Sequence, residues 1–212
     1  MLKTKALQVI ESEYPEAVQL AKTTAALQTA WAKETRKKSK KELEVQLATS
    51  KKASQEAFDN LRKDAHFIYR DFDCLRKDAD FSLPFCHSGI SELSAKLAAY
   101  ILSGEENDTA GCPELFSSIP PRLIAAAVTG LNHGFSCYES GLFAVKRFKG
   151  VDPENQGTYE DICRWLTRYE SETPEQYNIM IAAVTRDYVA RFSHRPVGAP
   201  FDSGAHKFNL KL

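Results

Sequence analysis

The sequence predicts an all-α protein, and three observations carry that expectation. From Glu16 to Leu83 there is neither a glycine nor a proline, the residues that interrupt helices through backbone entropy and loss of an N–H. Apolar residues recur at spacings of three and four, the repeat of one helix face. No Asn-Gly hairpin turn and no useful alternating strand run occurs anywhere in the chain.

The organisation follows from the same punctuation. All ten glycines lie from Gly89 onward and seven of the nine prolines lie beyond Pro84, so the two halves are built differently. The expected layout is a long-helix N-terminal arm over 1–83, hairpin or extended, and a compact domain of about five shorter helices over 84–195. An extended or disordered tail follows over 196–212.

In the arm, Pro15 suits the first turn of a helix, where its missing N–H has no partner to lose. The segment to Lys33 is rich in helix formers and sets Leu20, Thr24, Leu27 and Trp31 on one face. Residues 33–42, KETRKKSKKE, contain no apolar side chain. They are either a polar turn between two helices or a solvated piece of one long helix. From Lys41 a second helix is expected to about Asp80, with a seam of Phe58, Leu61, Ala65, Ile68, Phe72, Leu75 and Ala79. Leu43 and Leu47, continued through Ser50 and Ser54, occupy a different phase, so the seam changes register. LRKDAHF at 61–67 recurs as LRKDADF at 75–81, two heptads later. Phe67, Tyr69 and Phe81 fall off the seam; as large aromatics seldom left in water, they are the candidate partner-binding residues.

The compact half shows helix starts in order. Ser88 precedes a helix with Ile90, Leu93, Leu97 and Ile101 on one face, ending at Gly104 and followed by a loop. Pro120 and Pro121 open a small-residue-rich helix. Ser136 to Glu139 has capping-box spacing and is expected to start another helix ending at Gly150. Thr158 to Asp161 resembles a further cap, and Thr173-Pro174 starts the last helix with Tyr177, Ile181, Val184, Tyr188 and Phe192.

The chemistry is fainter. Lys plus Arg and Asp plus Glu both number 28, so no global field attracts nucleic acid or an anionic membrane. The N-terminus lacks the apolar core of a secretory signal, no run of eighteen apolar residues occurs, and the five cysteines form no CxxC pair. A cytoplasmic protein with reduced thiols and no membrane contact is expected. No phosphate-cradle glycine loop, HExxH or EF-hand motif is present, so no cofactor is expected.

Among thiols, Cys86 is the best nucleophile candidate, beside His87 and ahead of a helix N-terminus that favours a thiolate. His133, expected in a glycine-containing turn, is the candidate base, with Glu139 or Asn132 to orient it. Cys86, His87, Cys112, His133 and Cys137 are also zinc-type ligands, but their spacing matches no finger, and no metal site is assigned.

Residues 33–52 hold eight basic against three acidic side chains, with Arg36, Lys37, Lys38, Lys40 and Lys41 at their centre. Such a cluster can neutralise phosphates. The preferred functional expectation is a non-enzymatic protein–protein interaction module, a scaffold, adaptor or inhibitor, gripping a partner or a second copy through the long N-terminal helices. The alternatives are a nucleic-acid binder using the basic stretch and a small cysteine-dependent hydrolase or transferase.

Overall fold

A computed structural model of the chain describes residues 2–68, 84–102 and 118–193, and among these the regular structure is entirely helical. Seven α-helices run α1 Leu2–Glu13, α2 Pro15–Lys33, α3 Lys37–Arg62, α4 Ser88–Leu102, α5 Pro121–Ser136, α6 Pro153–Glu172 and α7 Pro174–Ser193. A 3-10 turn, Lys63–Ile68, follows α3.

The core gathers around α4 and α5. Helix α4 packs against α1, α5 and α7, and α5 also against α6. Helix α4 buries residues on most of its circumference, including Ser91 and Ser94 beside Ile90, Leu93 and Ala98. Helix α1 comes close to α5 because α5 has no side chains at the crossing. A Cβ at Gly134 would stand 2.5 Å from Ile10 Cδ1, and one at Gly130 2.8 Å from Leu2 Cδ1. The first residues of the arm therefore belong to the same core as the compact half. The sequence reading, which begins its first helix at Pro15, does not contain α1.

Phe135 is the aromatic centre of that core. It meets Tyr14 edge-on at 5.1 Å, Phe67 at 5.1 Å and Phe58 at 6.2 Å between ring centroids. Such pairs add stabilisation beyond the area they bury. Phe67, expected to serve a partner, is instead 1% exposed and is part of this cluster. The helix that would have carried it outward ends at Arg62, and the 3-10 turn tightens the backbone and rotates Phe67 and Ile68 inward together. Tyr69, Phe81, the second copy of the heptad repeat and the expected helix to Asp80 lie outside the described residues, as do Cys74, Cys112 and the tail.

Helices α2 and α3 form an antiparallel hairpin with its turn at residues 34–36. The polar stretch thus contains a turn, with 37–42 already in α3, and the turn is stabilised where the Arg36 N–H donates to Glu34 Oε1 at 2.8 Å. The hairpin is zipped by polar groups as well as apolar ones: the Thr24 and Ser50 hydroxyls are 2.8 Å apart. On α3 the spacing Leu43, Leu47, Ser50, Ser54, Ala57, Leu61 is an unbroken alternation of four and three. The expected change of register is absorbed because both Ala57 and Phe58 are buried.

Two further expectations are corrected. Ser136 does not open a helix; its hydroxyl donates to the His133 carbonyl at 2.8 Å and closes α5. Residues 137–149 make turns and then an irregular segment, because Gly141 adopts φ 76°, which no helix tolerates. Helix α6 begins five residues ahead of Thr158, with Pro153 in its first turn and Asp152 as its N-cap residue.

Candidate binding surface

The thiol candidates sit in the core rather than in a reactive cleft. Phe85 precedes them at φ 60°, the left-handed region, with its ring wholly buried edge-on to Trp165 at 4.8 Å. This bend turns Cys86 inward, where it is 2% exposed and its S–H points to the Met180 carbonyl at 3.9 Å. His87 Nδ1 accepts the Gly89 N–H at 3.1 Å and lies 3.0 Å from the Tyr14 hydroxyl, and the Tyr14 ring stacks on the imidazole at 4.6 Å. Burial first, and then the nearby Arg191 cation, push the His87 pKa down to about 4. His87 is thus a neutral packing residue at pH 7.

His133 is not in a turn but in the last turn of α5, with its ring edge-on to Phe148 at 4.9 Å. Its Nε2 is 3.4 Å from the Lys146 carbonyl, to which the N–H donates. Burial lowers its pKa, and this outweighs the opposing pull of the carbonyl. The Cys137 thiol donates to the His133 carbonyl at 3.7 Å. Among the described residues no group of three or more His, Cys, Asp or Glu side chains could hold a metal ion. A cleft of about 440 Å³ between the start of α5 and helices α6 and α7 contains Cys163, Arg122, Glu170 and Tyr177, without a histidine among its lining side chains.

These environments set an order of reactivity. Under iodoacetamide at neutral pH, Cys163, the half-buried thiol, is expected to label well ahead of Cys86 and Cys137 in the folded chain, with the differences vanishing in denaturant. Mass spectrometry of the modified peptides reads this directly. Selective early labelling of Cys86 would instead restore the nucleophile reading.

What the fold does present to solvent is the hairpin. Between Ala25 and Ala53 no residue is buried. Arg36, Lys37, Lys38 and Lys41 are exposed around the turn, while Lys40 folds back with its Nζ 4.7 Å from the centre of the Trp31 ring. Lys37, Lys41, Lys51 and Lys52 occupy one side of α3, at i, i+4, i+14 and i+15, over about 22 Å of helix at 1.5 Å per residue, with Glu44 between the two pairs and Lys52 facing Glu56 at 3.8 Å. An open groove of about 460 Å³ runs along the same helix, lined by Lys38, Lys41, Glu42, Val45 and Gln46.

A second basic segment is brought beside this row by residues 139–149. Gly141 lies on α3 so closely that a Cβ there would be 2.5 Å from the Lys51 carbonyl oxygen. Gln55 Nε2 donates to the Glu139 carbonyl at 3.3 Å. The segment beyond is pinned along its length: the Ala144 N–H donates to Cys137 O at 2.7 Å, His133 holds Lys146 O, and Asn155 Nδ2 donates to Lys149 O at 2.9 Å. Lys146 pairs with Glu139, which also faces Arg62. The result is a pinned irregular segment that exposes Lys146, Arg147 and Lys149 together with Phe143 and Val145, the last two 48% and 67% exposed. Phe143 continues an aromatic ladder out of the core, 5.1 Å from Tyr138, which stacks on Phe58 of α3 at 4.3 Å.

Sequence reasoning finds the hairpin half of this surface and misses the other half, because residues 136–150 read as a helix. The signal lay in the spacing of Phe143, Val145 and Phe148, which follows no helical face.

A family model described as a domain of unknown function, DUF6532, matches residues 2–169, which takes in α1 to α5 and most of α6. No curated protein and no solved structure matches the chain.

Proposed function

The chain belongs to the DUF6532 family, and we propose that it is a non-enzymatic binding module, a scaffold or adaptor, whose docking element is the α2–α3 hairpin. One observation carries this reading: residues 25–53 are ordered as helix and turn, yet none is buried. Fixing a backbone costs about 1–2 kcal/mol per residue. The hairpin offsets that through its own hydrogen bonds and the partly covered Leu27, Trp31, Leu43 and Leu47 seam, leaving its outer faces to a partner.

Grip by Phe67 is not part of the reading, since that ring is in the core. The residues offered are the cations at the turn and along α3. The burial of Cys86 and the neutral, packed state of His87 support a binding role over the cysteine-dependent hydrolase or transferase. A cytoplasmic location with reduced thiols remains part of the proposal.

Shortening the hairpin tests it. Removal of residues 28–46, bridged by a glycine-containing turn, deletes no residue that is buried or belongs to the core cluster. The variant is expected to keep the cooperative unfolding of the full chain while losing the partners that lysine cross-linking captures with the intact protein. Identical cross-linked partners in both would end the proposal.

A further inference from the structure

We infer that the partner of this surface is a nucleic acid strand, its phosphates held by Lys37, Lys41, Lys51 and Lys52 of α3 with Arg147 and Lys149 of the adjoining segment, and a base stacked on Phe143. The inference rests on the hairpin reading above and names the partner's chemistry. The fold assembles the surface from stretches some ninety residues apart, joined where Gly141 meets Lys51 and Gln55 meets Glu139.

Three features select a linear polyanion over a protein. The first is geometry: the α3 cations follow one side of a single helix for about 22 Å, a row that suits a charged strand better than a compact patch. The second is composition. Lysine is depleted at protein–protein interfaces, whose centres are apolar, whereas here lysine dominates and the exposed apolar side chains, Val45, Val145 and Phe143, are scattered along it. The third is the aromatic ladder Phe58, Tyr138, Phe143, which ends in a half-exposed ring on the same segment as Arg147. A ring so placed is a platform for an unpaired base, and favours single strands over duplex. The zero net charge of the whole chain does not oppose this, because at about 0.1 M salt fields reach only about 10 Å and the local row decides.

Fluorescence anisotropy with labelled mixed-sequence oligonucleotides, single-stranded and duplex, tests the full-length chain. Six phosphate contacts give an expected log–log salt slope of about −4 for the single strand, a fall of roughly 300-fold in affinity between about 50 and 200 mM salt. The charge reversals K37E/K41E and R147E/K149E are each expected to weaken binding by more than about 10-fold, because both halves contact the strand. Phe143→Ala is expected to weaken single-strand binding about 5-fold or more and to leave duplex binding unchanged. Circular dichroism confirms that each variant is folded. Absence of wild-type binding at about 50 mM salt, a salt-independent affinity, or full affinity in R147E/K149E would each overturn the inference. If oligonucleotides fail while hairpin-dependent partners are still captured by cross-linking, the nucleic acid is wrong and the docking hairpin stands; if capture also survives hairpin shortening, both fall.

Discussion

Replacing Phe135 by Ala is expected to cost about 3–5 kcal/mol of stability, the range for emptying an aromatic site in a packed core. The value belongs at the upper end because the ring is fully buried and meets Tyr14 before α2, Phe58 of α3 and Phe67 of the turn that follows it. None of these can close the void alone. Each is held by another contact: Tyr14 by stacking on His87, Phe58 by stacking on Tyr138, and Phe67 by the turn that follows α3. A protein of this kind has about 5–15 kcal/mol in total, so the loss is a large share of it. Urea unfolding followed by circular dichroism measures it. A midpoint unchanged from wild type would mean that these rings do not share one core.

The ring cluster also shows how far the sequence could be read. The all-helical class, α2 with its Leu20, Thr24, Leu27 and Trp31 face, the start of α4 at Ser88 and the start of α7 at Pro174 were legible, because periodicity and caps are local. Phe67 was not. Its place depends on where α3 ends, and the heptad pattern continues past Arg62 although the helix does not. The segment after Ser136 failed for a related reason: a serine followed three residues later by glutamate fits a helix start, but this hydroxyl serves the helix before it. Helix α1 does set Leu2, Ala6, Val9 and Ile10 on one face, but its seat in the glycine groove of α5 is a tertiary fact. The basic hairpin was legible as composition. Its extension through Arg147, Lys149 and Phe143 was not, since it depends on the left-handed Gly141 laying one loop on a distant helix.

The histidines were legible only as candidates, and their burial turns them into a liability at low pH. His87 has its pKa pushed down from 6.5 to about 4, by burial and then by Arg191. The folded form therefore binds fewer protons than the unfolded form between these values, and stability falls as the pH drops through that window. Above pH 6.5 the contribution is fully present, and below about 4 it is fully lost. The whole step is on the order of 3 kcal/mol, since each tenfold change in proton affinity corresponds to about 1.4 kcal/mol. The structural event behind it is specific. Protonation at Nδ1 removes the acceptor for the Gly89 N–H and places a cation near Arg191, which Glu92 already engages at 2.8 Å and Glu13 at 3.6 Å. His87→Asn keeps an acceptor but cannot titrate, so its urea midpoint is expected to vary less with pH than that of wild type between pH 6.5 and about 4. Some slope should persist, because burial also lowers the His133 pKa and adds a loss of the same sign. Parallel curves for the two proteins would show that His87 is accessible to protons in the folded chain, and would reopen its place beside Cys86 as a working pair.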